Sequence, residues 1–175
     1  MRFGKLYREQ ARAILAYALR RVESPEDASD VVAETFLVAW RRLDQVPLGG
    51  RERLWLYAVA RRVIANARRA QGRRTRLAER LVETLRAELP VPPEPGGGAT
   101  EVLRAMAGLG EEDRELLLLV TWEELSPSEA AKVLGLSQLA ARSRLHRARR
   151  RLRRLLEEHE SATRCSPRPH TEEAR

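Results

Sequence analysis

The sequence holds one cysteine, Cys165, and three scattered histidines. A single thiol closes no internal disulfide, and no His/Cys group stands at ligand spacing, so neither a metal nor a cofactor is expected. A reducing compartment, the cytoplasm, follows. Also missing is any run of about eighteen apolar residues, the length a helical membrane span needs. The N-terminal "MRFGKLYREQARAIL" lacks a secretory apolar region with a cleavage site, so no membrane role is expected. No Ser/His/Asp or paired-carboxylate constellation has catalytic spacing, which argues against an enzyme and against a small-molecule substrate. Lysine is scarce too. Lys5 and Lys132 are the only two, so nearly all the basic charge is guanidinium, the group suited to bidentate contacts with phosphate and guanine edges.

Thirty-three Lys plus Arg against 25 Asp plus Glu leave a net charge of +8 on 175 residues. Such a surface gathers polyanions, nucleic acid first among them. Strand-like alternation is absent, whereas helix-period stretches cover residues 7–21, 25–43, 54–70, 100–107, 111–122 and 127–158. The spacing predicts an all-α fold of two small helical bundles joined by a flexible linker. The linker, residues 76–99, contains "LPVPPEPGGGAT", whose prolines remove helix donors and whose glycines ease irregular backbone. It separates a first domain, 1–75, from a second, 100–158. Each is near the lower size at which a domain folds alone, which favours mutual support or a large partner. Residues 159–175 lack periodicity and read as a disordered tail.

The second domain opens its last helical stretch with Ser126, Pro127 and Glu129, a capping box with proline where no donor is missed. Gly135 suits the left-handed residue that ends a helix, and Ser137 caps the next one. That is a helix-turn-helix. On its second helix Ala141, Leu145, Ala148, Leu152 and Leu155 make one narrow apolar stripe. Arg142, His146, Arg149 and Arg153 line one flank, and Ser143, Arg147, Arg150 and Arg154 the other. A recognition helix in a major groove needs that division between a packed stripe and a polar remainder. The plainer alternative is a solvated helix. Such helices mix signs for pairing one turn apart, however, and this one has no acid from Leu139 to Leu156.

In the first domain "VESPEDASDVVAETFLVAW" reverses the charge. Asp27, Asp30 and Glu34 stack along one helix face, with Ala28, Val32, Phe36 and Ala39 roughly opposite. Acids at a helix start complement its dipole, which accounts for Glu26 and Asp27 but not for Glu34, two turns in. A protein-docking face is the reading taken. The following "LWLYAVARRVIANARRAQGRR" is basic again. Leu56, Val63 and Ala67 are expected on its buried side, and Tyr57, Arg61, Arg62, Arg68 and Arg69 on the exposed one. With Trp55 these basic and aromatic groups suit a phosphate backbone and unstacked bases. Both aromatics also fit a core position, where a large ring at a helix start anchors packing.

These parts, in this order, resemble the small extracytoplasmic-function (ECF) type of bacterial RNA polymerase sigma factor over about residues 7–156. "DASDVVAETFLVAW" resembles the region 2 stretch that docks on the clamp helices of the polymerase largest subunit. "WLYAVARRVIANARRAQGRR" is similar to the promoter-opening part, and "GEEDRELLLLV" with "LSPSEAAKVLGLSQLAARSRLHRARRRL" to region 4. The resemblance implies that Asp27, Asp30 and Glu34 bind core polymerase. It implies that Arg142, Ser143, His146, Arg147 and Arg150 read the minus-35 element of promoter DNA. Loop 44–53 and Trp55, Tyr57, Arg61, Arg62, Arg68 and Arg69 would engage the minus-10 element and its separated strand. Leu116, Leu119 and Trp122 would meet the flap of the second-largest subunit, and an anti-sigma factor is a further implied partner. Three positions depart from the common pattern: Arg62 stands for Asn, Ala33 for Gln, and "LAA" at 139–141 for "GTV".

Another reading of the residues is an autonomous helix-turn-helix regulator. It would normally dimerise on symmetric half-sites, yet no heptad seam is present, and the acidic helix would have no role.

Overall fold

The computed structural model describes residues 2–83, 102 and 105–165, with side chains for 2–71, 102 and 105–158. Among the described residues the regular structure is helical, without a strand. The chain divides into two compact units.

The first unit contains α1 (Arg2–Leu19), α2 (Pro25–Arg41) and α3 (Glu52–Glu83), each packed against the other two. Leu6, Ile14, Tyr17 and Ala18 of α1 meet Ala28, Val31, Thr35, Phe36 and Ala39 of α2 and Leu56, Tyr57, Val59, Ala60 and Ile64 of α3 in one buried core. Helix α1 starts five residues before the predicted position, at Arg2 rather than 7, because that extra turn has partners. Phe3 sets its edge to Phe36 and Trp40, at centroid distances of 6.3 and 5.0 Å. Helix α2 begins at an N-cap, Ser24, whose hydroxyl accepts the Asp27 amide at 3.0 Å and donates to the Asp27 carboxylate at 2.8 Å. Such a cap contributes about 1 kcal/mol. The buried stripe of α2 runs through Val31 and Thr35, and the expected Val32 is only half-buried.

The second unit is built from a helical turn at 105–107, α4 (Glu111–Thr121), the first part of α5 (Pro127–Leu134) and α6 (Gln138–Cys165). Arg114 of α4 donates to the carbonyls of Met106, Ala107 and Leu109 at 2.8, 3.0 and 3.2 Å, closing the otherwise open carbonyl end of that turn. The capping box before α5 forms as expected: Glu129 accepts from the Ser126 amide at 2.9 Å, and the Ser126 hydroxyl accepts from the Glu129 amide at 3.3 Å. Gly135, with φ of 68°, then ends α5. Its amide returns to Lys132 and that of Leu136 to Ala131, the paired reverse bonds of a left-handed helix stop. Two residues later the Ser137 hydroxyl accepts the Ala140 amide at 3.1 Å and starts α6. Ala141, Leu145 and Ala148 are buried, Leu152 and Leu155 half-buried, and α6 packs on α4 along this stripe.

The boundaries expected for the linker and the tail differ as well. Helix α3 continues through residues 76–83, placed in the linker by sequence, and α6 continues through 159–165, placed in the tail. The first extension, RLAERLVE, is rich in Ala, Arg, Leu and Glu, residues of high helix propensity, and neither extension contains Gly or Pro. The remaining linker and tail positions, 84–99 and 166–175, lie outside the described residues.

Gly135 has open space where a Cβ would stand, so its requirement is purely conformational. Gly135→Ala is therefore expected to cost about 1–2 kcal/mol, with Gly135→Asn recovering part of the loss. Chemical denaturation followed by circular dichroism checks this, and an unchanged midpoint for the alanine variant contradicts the assignment.

Candidate nucleic-acid and polymerase-docking surfaces

The first half of α6 presents a continuous polar face. Arg142, Ser143, His146, Arg147 and Arg150 are all exposed, at spacings of three and four residues, behind which Ala141, Leu145 and Ala148 are buried. Only a helix with a stripe this narrow leaves both flanks to solvent. One arginine of the segment is used differently. Arg144 is half-buried and pairs with Glu112 and, at 3.6 Å, with Asp113 in the first turn of α4. Those acids also complement the α4 dipole, so Arg144 ties α6 to the start of α4.

In the first unit Asp27, Asp30 and Glu34 are exposed on α2. They line an open groove of about 940 Å³ with Leu37 of the same helix and Val63, Ala67, Arg68 and Gln71 of α3. Arg68 donates to the Arg21 carbonyl at 2.6 Å, which ties α3 to the segment after α1. Arg68 thus stands among the acids, whereas Arg62 and Arg69, one heptad apart, share another exposed face of α3. Arg69 also donates to the Asn66 side chain, and Arg61 is half-buried.

The loop joining α2 to α3 is held from α1. Arg2 donates to the carbonyls of Leu43, at 2.8 Å, and Val46, and Gln10 accepts from Arg53 at 2.9 Å at the other end of the loop. Val46 is buried beneath it, while Asp44, Gln45, Leu48, Gly49, Gly50 and Arg51 are exposed. Gly49 and Gly50 have φ of 76° and 84°, the left-handed region that side chains disfavour.

Three sequence-predicted site residues fall in the core. Tyr57 is 2% exposed and stacks on Tyr17 at 5.0 Å, so it is not on the basic face of α3. The helical register explains this: Tyr57, Ala60 and Ile64 follow one another at three- and four-residue spacing on the buried side, and Ala67 is exposed instead. Leu116 and Leu119 are fully buried. The leucine run of α4 is apolar around most of its circumference, so periodicity did not separate inward from outward positions. Trp122, which follows α4, is 61% exposed and remains on the surface, and Trp55 is half-buried.

A Sigma-70 region 2 model matches residues 6–74 and a Sigma-70, region 4 model matches residues 99–152. The ECF RNA polymerase sigma factor SigL of Mycobacterium tuberculosis is 33% identical over 156 residues, covering 87% of this chain and 88% of its own. RNA polymerase sigma factor NccH of Alcaligenes xylosoxydans xylosoxydans is 33% identical over 162 residues, covering 89% and 87%. The chain belongs to the ECF sigma factors. The solved structure of CnrH in complex with the cytosolic domain of CnrY superposes on it with a TM-score of 0.62 at 28% identity, covering 89% of this chain and 88% of that one.

This sigma factor accordingly binds core RNA polymerase and promoter DNA and directs promoter-specific initiation, without enzymatic activity of its own. No helix among its described residues is long and apolar enough to cross a membrane, and no group of His, Cys, Asp or Glu among them is placed to hold a metal ion. Sequence reasoning passed over the loop clamp, Arg2 and Gln10, the Arg144 pairing, and two exposed apolar side chains of α2, Leu37 and Trp40. The first three depend on contacts distant in sequence. Leu37 and Trp40 were legible, since Glu34, Leu37 and Asp30 share one face at three- and four-residue spacing.

A core position for Tyr57 has a direct check. Tyr57→Phe keeps the ring stack and is expected to leave promoter opening within about twofold of wild type, whereas Tyr57→Ala costs about 3–5 kcal/mol in unfolding free energy. A folded alanine variant that fails only in opening, measured by permanganate reactivity of the separated strand, would return Tyr57 to the DNA face.

Proposed function

We propose that this sigma factor reads the minus-35 element with the exposed face of α6 and engages the minus-10 element with its first unit. Arg142, Ser143, His146, Arg147 and Arg150 contact bases and phosphates upstream. The observation carrying this reading is their joint exposure opposite a buried stripe, the division a groove-reading helix requires. Downstream, loop 44–53 with Trp55, Arg62 and Arg69 meets the opened strand, and Arg61 supports it from a half-buried position. Capture of unstacked bases offsets the few kcal/mol per step that opening costs. On this reading residues 1–75 dock and open, and residues 100–158 read upstream.

The acidic groove wall, Asp27, Asp30 and Glu34 with Leu37, docks on the clamp helices of the polymerase largest subunit, and Trp40, exposed outside the groove on the same helix, borders it. Charge opposition sets register and encounter rate there, and the exposed apolar side chains add contact area. Trp122 serves the flap of the second-largest subunit. CnrH is held by the cytosolic domain of CnrY, which supports an anti-sigma partner for this chain as well. Its place of action is the cytoplasm, on the nucleoid when bound to polymerase.

Run-off transcription with purified bacterial core polymerase on a promoter pool tests both surfaces. Asp30→Arg/Glu34→Arg is expected to weaken core binding at least tenfold. Arg142→Ala/Arg147→Ala is expected to keep core binding and to lose tenfold or more in upstream discrimination, about 1–3 kcal/mol per lost base contact. Unchanged core affinity in the first pair moves the docking face elsewhere, and unchanged discrimination in the second removes α6 as the reader.

A further inference from the structure

The first turn of α6 carries an apolar side chain that the fold does not use. Leu139 is 80% exposed, the most exposed of the large hydrophobic residues described in the chain, ahead of Leu48 and Trp122. Its neighbours Gln138 and Ala140 are exposed as well, and the Ser137 cap bonded to the Ala140 amide fixes the backbone of this turn. Leu139 lies three, four and seven residues before Arg142, Ser143 and His146. It therefore extends their face by one turn toward the helix N-terminus. That end of a recognition helix goes deepest among the base edges.

In the major groove the base edges display hydrogen-bond donors and acceptors and one apolar group, the C5 methyl of thymine. An aliphatic side chain without a polar atom has only that group to recognise. We infer that Leu139 is a specificity-determining residue that packs on a thymine methyl in the upstream element. The inference rests on α6 being the minus-35 reader. It goes beyond that reading in assigning a base preference to a residue that makes no hydrogen bond. Burying one methyl against the leucine is worth roughly a three- to fivefold change in affinity, from about 0.8 kcal/mol per buried carbon.

The test uses the full chain bound to core polymerase and a promoter selected from a random pool, with each thymine of the minus-35 element replaced singly by deoxyuridine. That exchange removes the methyl and keeps the pairing and the O4 acceptor. Wild type is expected to lose three- to fivefold at one thymine. Leu139→Ala binds thymine and uracil there equally, and Leu139→Met restores the ratio. Since Leu139 is exposed, these variants are expected to keep the wild-type unfolding midpoint. Indifference of wild type to every exchange overturns the inference, as does an alanine variant with the wild-type thymine-to-uracil ratio. A Leu139→Ala defect in core affinity with an unchanged ratio overturns it too, by turning the residue toward polymerase. Failure of the underlying reading looks different: Arg142→Ala/Arg147→Ala then retains upstream discrimination, and the inference falls with α6 as reader.

Discussion

The second unit depends on the packing of one narrow stripe, Ala141, Leu145 and Ala148, against α4. Two of these three residues are alanines, so the first two turns of α6 are held close by a single leucine, with the half-buried Leu152 and Leu155 continuing the stripe beyond them. A broader apolar stripe would have given more burial and taken the flanks with it. The arginines on those flanks are exposed and, being like charges one turn apart, repel one another. Their positions are maintained by the stripe, by the Ser137 cap and by the pairing of Arg144 with Glu112 and Asp113. Exposed ion pairs contribute about 0–1 kcal/mol, so that pairing orients the helix more than it stabilises it.

The first unit solves a different problem, keeping acids and arginines apart within about seventy residues. Its core of Ile14, Tyr17, Phe36, Leu56 and Tyr57 presents α2 and α3 side by side, with the acids of α2 turned to a groove and Arg62 and Arg69 on another face of α3. Arg21 lies over Tyr17, 3.6 Å from the ring centroid, where a cation gains from the aromatic face while Tyr57 stacks on the same ring. The left-handed glycines at 49 and 50 permit a tight exposed loop, and Arg2 and Gln10 restrain both of its ends. Restraint from a separate helix matters because an exposed loop has no core of its own to fix its geometry.

Local signals proved dependable in this chain. The Ser126 capping box, the Gly135 stop, the Ser137 cap and the α6 stripe were each legible because the groups involved lie within one or two turns of each other. Tyr57, Leu116 and Leu119 were not, since an apolar or aromatic residue in a largely apolar run does not say which way it faces. The same ambiguity put Val32 for Val31 on α2, and Ala67 for Ile64 on α3. Arg68 is exposed, as its helix face implied, but its bond to the Arg21 carbonyl depends on a residue far away in sequence.

The amino-acid sequence by itself determined the helical class, the acidic face set among basic segments, and the arginine-rich polar faces of the last helix. Charge distribution and helical period are properties of neighbouring residues, and they survive without a fold. Only the tertiary structure decided which aromatic rings are core, which arginines are taken up by carbonyls and acids, and that Arg2 reaches the loop after α2. It also left Leu139 exposed in the first turn of α6, ahead of Arg142 and Ser143. Those outcomes depend on which helices pass near one another, and burial is decided by that approach rather than by the identity of any single residue.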